Sequence, residues 1–96
     1  MNWECRKKTE AALNAAGGDW HNLLACAPLV TDSRRVGPGS IFVALRGERF
    51  DGHDFLSAVH EAGAAAALVE REAPVDMPQL VVPDTRWAYM LLAAER

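Results

Sequence analysis

The stretch Ile41 to Glu70, IFVALRGERFDGHDFLSAVHEAGAAAALVE, decides how the chain folds. It opens on "IFVAL", Ile41–Leu45, a continuous apolar run of the kind found in a strand buried on both faces, which makes it the expected central strand. "RGERFDGH", Arg46–His53, is too polar and too rich in glycine to continue a strand and reads as a loop. Asp54 is placed to cap a helix over "FLSAVHEA", in which Phe55, Val59 and Ala62 fall on one stripe, and Gly63 supplies the stop. "AAAALVE", Ala64–Glu70, follows as a second buried strand. A helix of about ten residues between two strands is a right-handed crossover between parallel neighbours. The expected fold class is α/β: a small mixed sheet with flanking helices.

Working outward, "PLVT" at Pro28–Thr31 is a short strand whose proline sits at the first position, where a missing N–H is tolerated. "GPGS", Gly37–Ser40, is a turn by its content. On the other side, "REAPVDMP" is a loop and "QLVV", Gln79–Val82, a strand ending at Pro83. Asp84 then caps a last helix, "TRWAYMLLAAER", in which Trp87, Met90 and Leu91 share a face. Upstream, the helix formers from Glu4 to Ala16, closed by Gly17 and Gly18, predict a first helix, while Asp19–Ala27 leaves strand and helical turn equally open. The whole, residues 1–96, is a single domain. A final helix running to Arg96 without cap, glycine or polar tail is what a truncated chain would show.

Composition removes several classes of function. With 96 residues, the chain is one domain at most and buries about two-thirds of the surface its unfolded form exposes. A net charge of −3 with scattered Lys and Arg leaves no basic footprint for nucleic acid. Cys5 and Cys26 lack a CxxC partner or helpful histidine spacing, so they indicate reduced thiols in a cytoplasmic protein and neither a disulfide framework nor zinc. No apolar run approaches the ~18 residues of a membrane span, and "MNWECRKKTE" lacks the apolar core of a signal peptide. The expectation is a cytoplasmic protein without a membrane partner.

Glycine-rich loops invite a phosphate reading. A nucleotide-hydrolysing loop needs GxxxxGK followed by Ser or Thr, so that backbone N–H groups, a lysine and a hydroxyl converge on phosphate and magnesium. No such string occurs. His21, His53 and His60 do not form a metal set; His60 is expected on a solvated helix side, and His53, between Gly52 and Asp54, either donates to a ligand or finishes a turn. Ser33, His53 and Asp51 form a triad on paper only, with no nucleophile elbow around Ser33. What survives is binding. Asp32, Ser33 and Arg34 leave one strand and Arg46–Arg49 leave its neighbour, and α/β sheets place ligands at the carboxyl ends of their strands. Arg34, Arg46 and Arg49 would offer forked donors to phosphate, with the Ser33 hydroxyl and N–H groups near Gly47 completing the cradle.

The stretch TDSRRVGPGSIFVALRGERFDGHDF, Thr31–Phe55, resembles the signature of the N-terminal domain of the Mur ligases that extend the peptidoglycan stem peptide. "MPQLVVPDTRWAYMLLAA", Met77–Ala94, is similar to a stretch typical of the branch that adds D-alanyl-D-alanine. The sister branch, which adds the third amino acid, shares the first motif but less often "GERF" and "PQLVVPDTR". The resemblance covers residues 28–94. It implies the Mur ligase N-terminal fold and a domain that holds the UDP end of UDP-N-acetylmuramoyl-peptide. It also implies that Asp32, Ser33, Arg34, Leu45, Arg46, Gly47, Arg49 and His53 line that side of the pocket. ATP, magnesium and the catalytic residues then belong to a central ATPase domain of the parent chain, and this domain needs no cofactor or metal of its own. On that reading the 96 residues bind but do not ligate. A stand-alone, non-catalytic nucleotide-sugar binding module is the alternative of a different class, and a P-loop string downstream of Arg96 would discriminate against it.

Overall fold

The computed structural model describes residues 4–5 and 27–95. Its strands are β1 (Glu4–Cys5), β2 (Leu29–Val30), β3 (Ile41–Val43), β4 (Ala66–Val69) and β5 (Gln79–Val81), in the order β1-β5-β4-β3-β2. Strands β2 to β5 run parallel, with Phe42 beside Ala67 and Leu68 beside Leu80, and β1 joins β5 antiparallel. The sheet is mixed, as the sequence implies. β3 is interior, but the middle position belongs to β4, because β1 adds a strand beyond β5. Glu4 and Cys5 are therefore strand, where a helix over 4–16 was expected: an unfilled ladder on β5 outweighs local helix propensity. The rest of that helix, and the open stretch 19–26, lie outside the described residues.

Two helices, α1 (Leu56–Glu61) and α2 (Thr85–Glu95), cover opposite faces of the sheet. The period-2 alternation of strands sorts the core between them. Phe42, Ala67 and Val69 pack with Leu56 and Val59 of α1. Val43, Leu68, Leu80 and Val82 pack with Ala88 and Leu92 of α2. Every residue of β3 and β4 is buried, which is why both read as unbroken apolar runs.

Both helices turn a different stripe inward from the one expected. Asp51, not Asp54, begins the first: its carboxylate accepts the His53 N–H and caps a 3-10 turn, Gly52–Phe55, that runs on into α1. That early start leaves Leu56 and Val59 facing the sheet and Phe55 41% exposed. Gly63 ends the helix with φ +100, as expected. In α2 the cap is as read, with the Trp87 N–H donating to Asp84 Oδ1 at 3.1 Å. The buried residues are Thr85, Ala88 and Leu92, while Trp87 and Met90 are 50% and 61% exposed. Small Ala88 lets α2 approach closely, and the Thr85 hydroxyl donates to the Ala44 carbonyl at 2.8 Å.

The loop between β4 and β5 is pinned from inside the sheet. Gln79 is fully buried; its Oε1 accepts the Ala73 N–H at 2.8 Å, and its Nε2 donates to the carbonyls of Ala73 (3.0 Å) and Val75 (3.1 Å). The "GPGS" turn forms as expected, with the Ser40 N–H and hydroxyl both donating to the Gly37 carbonyl. Among the described residues no helix is long and apolar enough to cross a membrane.

Candidate functional site

Because β2 to β5 are parallel, their carboxyl ends lie along one edge of the sheet, where α/β proteins place ligands. The exit of β2 is a 3-10 turn, Ser33–Arg35, capped by Asp32, whose Oδ1 accepts the Arg34 N–H at 3.0 Å. The Arg34 guanidinium folds back on the same carboxylate, with Nε at 3.1 Å from Oδ1 and Nη2 at 3.0 Å from Oδ2. These side-chain and backbone hydrogen bonds hold the Asp32 carboxyl below its ordinary range, and the same pairing raises Arg34.

The exit of β3 folds back on itself as a small lobe. Arg46 bridges Asp51, the Gly47 N–H donates to the Phe50 carbonyl at 2.8 Å, and the Gly52 N–H donates to the Leu45 carbonyl at 2.7 Å. Gly52 lies against β3 so closely that a Cβ there would sit 2.9 Å from Ala44 Cα and from the Leu45 nitrogen. The second glycine of "GERFDG" thus serves backbone approach. The lobe holds Phe50 out at 55% exposure.

Behind the lobe lies a hydrogen-bonded cluster. His53 Nδ1 is 2.6 Å from Asp51 Oδ1, and its Nε2 accepts the Glu70 N–H at 2.9 Å. Arg71 Nη2 donates to Asp51 Oδ2 at 3.0 Å. Partial burial pushes the Asp51 carboxyl up, but the His53 N–H, the His53 ring and the Arg71 guanidinium outweigh it and hold the group far below the usual carboxylate range. His53, with 3% of its side chain exposed, is built into the turn that Asp51 caps. With Nε2 already accepting from an amide, it could not also take a proton from Ser33, so the paper triad has no free base.

At the β4 exit, Glu70 Oε1 meets Arg46 Nη2 at 2.8 Å, and Oε2 accepts from the Thr85 N–H at 3.0 Å and its hydroxyl at 3.3 Å. Glu70 and Asp84 together supply carboxylates to the positive end of α2, so that end has no call for a phosphate. With the P-loop string also missing, the residues present do not fit a nucleoside triphosphate. Among the described residues no cluster of three or more His, Cys, Asp or Glu could hold a metal.

Between the exits of β2 and β3 opens a cleft of about 430 Å³ lined by Thr31, Asp32, Ser33, Arg34, Phe42, Phe50, Gly52 and Phe55. It gathers Asp32, Ser33 and Arg34 from the sequence-read set. Leu45, Arg46 and Gly47 lie on the neighbouring exit, Arg46 beside Glu70 in a second depression with Asp84, Thr85 and Arg86. Arg49 is exposed on the lobe. The aromatic walls, Phe50 and Phe55, escaped the sequence reading. Phe50 had a signal, since a large apolar residue inside a charged, glycine-rich loop has no core to enter. Phe55 had none, because it was counted in the buried stripe.

Fold and site together define an α/β domain with parallel strands, loops meeting at their carboxyl edge, and an apolar cleft with a polar lip. Residues 28–91 match the family described as Mur ligase family, catalytic domain. The chain belongs to the Mur ligase family. Among its relatives, the Escherichia coli (strain K12) UDP-N-acetylmuramoyl-tripeptide--D-alanyl-D-alanine ligase is 53% identical over 66 residues, 69% of this chain and 15% of that protein. The Geobacillus thermodenitrificans UDP-N-acetylmuramoyl-L-alanyl-D-glutamate--2,6-diaminopimelate ligase is 48% identical over 65 residues, 68% of this chain and 13% of that protein. The crystal structure of the MurF ligase from Thermotoga maritima in complex with ADP superposes with a TM-score of 0.69 at 35% identity, covering 77% of this chain and 17% of that one. A MurF structure from Acinetobacter baumannii gives 0.67 at 36% identity, covering 98% of this chain and 21% of that one. The chain thus spans about a sixth of the length of these relatives.

Proposed function

We propose that these residues form the substrate-holding N-terminal domain of a cytoplasmic, ATP-dependent ligase of the MurF type, which adds D-alanyl-D-alanine to UDP-N-acetylmuramoyl-tripeptide, and that the cleft takes the UDP end. The observation that carries this is the cleft itself: two exposed aromatic rings, Phe50 and Phe55, face a polar lip of Asp32, Ser33 and Arg34. A planar base stacks on aromatic faces at about 1–3 kcal/mol each. The Ser33 hydroxyl and Arg34 serve the ribose and phosphates, and Arg46 and Arg49, on the lobe shaped by Leu45 and Gly47, extend the anionic track; the Gly47 N–H itself is taken by the Phe50 carbonyl. His53 supports the lobe from behind. ATP, magnesium and the acyl-phosphate chemistry fall to a central domain of the parent chain. The D-alanyl-D-alanine branch is favoured over the diaminopimelate branch by the 53% against 48% identity over nearly the same span.

The test is an amide-shift titration of the 96-residue chain with UDP. Movement confined to residues 31–35 and 46–55, needing more UDP in Phe50→Ala, is expected. Flat shifts at millimolar UDP, or shifts centred on Arg86 and Asp84, would sink the reading.

A further inference from the structure

The UDP-holding reading leaves open what keeps the aromatic walls in place. Phe50 and Phe55 are 55% and 41% exposed, so core packing does not hold them. Both stand on the segment 46–55, whose loop hydrogen bonds tie it to itself and to Leu45 at the end of β3 before it runs on into α1. The links from this segment to the exit of β4 are made by side chains: Glu70 N–H to His53 Nε2, across seventeen residues, Arg71 to Asp51, across twenty, and the exposed Arg46 to the Glu70 carboxylate at 2.8 Å. His53 lies between the two walls in sequence and is the buried member of these links, bonded to Asp51 on the lobe and to the Glu70 backbone just beyond β4, where Arg46 and Arg71 are more than half exposed.

Its chemistry is dictated from both sides. The Glu70 amide can only donate, so Nε2 must present a lone pair; the ring proton therefore sits on Nδ1, aimed at Asp51 Oδ1 at 2.6 Å. We infer that His53 is a positioning residue: in this one tautomer its imidazole clamps the Phe50 lobe and the Phe55 turn to the exit of β4, pre-setting the cleft for a planar ligand. Ordering the walls before binding removes part of the entropy cost that a loose lobe would impose on association. Almost wholly buried, His53 acts through Phe50 and Phe55 and does not touch the ligand.

The inference rests on the UDP reading and is tested on the whole chain. Nitrogen-15 spectra of the imidazole should show a protonated Nδ1 and a bare Nε2 at neutral pH; a proton on Nε2 overturns the assignment. His53→Phe keeps the ring and removes both bonds. It should speed hydrogen exchange at the Glu70 amide at least tenfold and weaken UDP about tenfold, and the second loss should vanish in a Phe50→Ala background, because coupled residues are not additive. His53→Gln, which keeps an acceptor toward Glu70, should recover part of the affinity, and it carries the same cycle should His53→Phe fail to fold. Unchanged affinity, or an equal loss in both backgrounds, overturns the proposal. If the unsubstituted chain does not bind UDP, the ligand reading fails, and nuclear Overhauser contacts of the Phe50 and Phe55 rings decide the positioning role: contacts identical in the two proteins overturn it.

Discussion

Two glycines five residues apart in the lobe should respond to the same methyl group with very different losses of stability. In Gly52→Ala the new Cβ would lie 2.9 Å from Ala44 Cα, 2.9 Å from the Leu45 nitrogen and 3.0 Å from the Leu45 oxygen. All three are backbone atoms at the end of a buried strand and cannot rotate away. Overpacking of this kind costs about 1–3 kcal/mol. The 2.7 Å hydrogen bond from Gly52 to Leu45 must lengthen as well, for about 1 kcal/mol more. The expected loss is about 3 kcal/mol, a large share of the ~5–15 kcal/mol available to a domain, and about 12–24 °C in Tm. In Gly47→Ala the Cβ meets only the Phe50 ring, at 2.8 Å from Cε1, and that half-exposed ring can swing aside. The expected loss there is under about 0.5 kcal/mol, although UDP binding should weaken because a cleft wall has moved. Urea unfolding followed by circular dichroism, with the slope checked for constancy, reads both variants. Equal losses, or a Gly52→Ala cost within 0.5 kcal/mol of zero, would refute the close-approach argument.

Gln79→Leu should cost about 2–4 kcal/mol, since three hydrogen bonds go and the Ala73 and Val75 backbone groups lose their buried partner; calorimetry and a faster-exchanging Ala73 amide would show it. Phe50→Ala should leave stability within about 0.5 kcal/mol but weaken UDP by about 1–3 kcal/mol, or 5- to 150-fold, by titration calorimetry. The Asp51 carboxyl is depressed in the folded state, so its stabilisation is fully present above the ordinary carboxylate range and is lost as pH falls below it. Asp51→Asn should accordingly flatten the acid limb of stability measured between pH 2 and 6, and an unchanged limb would count against the cluster. Thr85→Val should destabilise by about 1–2 kcal/mol, because the Ala44 carbonyl and Glu70 lose a donor, read as a shift in the urea midpoint.

Much of this architecture is legible in the order of residues. β3 and β4 are uninterrupted apolar runs because both faces of each are covered, and such runs are visible without coordinates. Gly63 and Asp84 announce a helix end and a helix start through backbone chemistry that is local. The parallel pairing of β3 with β4 follows from the length of the crossover between them, whereas the meeting of the β2 and β3 exits waits on β2 being parallel to β3, which only the structure supplies. The family signature in residues 31–55 is likewise a matter of order and spacing.

Other features arise only where distant residues meet. Whether the cap is Asp51 or Asp54 shifts the helix by a fraction of a turn, and that fraction decides whether Phe55 is core or cleft wall. Glu4 and Cys5 are strand because β5 offers an open ladder, which no window of ten residues contains. That His53 Nε2 accepts the Glu70 amide, seventeen residues on, is invisible in the local sequence. Glu70 and Gln79 read only as the last residue of one strand and the first of another, yet one supplies a carboxylate to α2 and the other holds the loop before β5. Local backbone preference and burial periodicity act over a few residues and can be read from sequence, whereas the partner of a buried polar group is set by the packing of the whole domain.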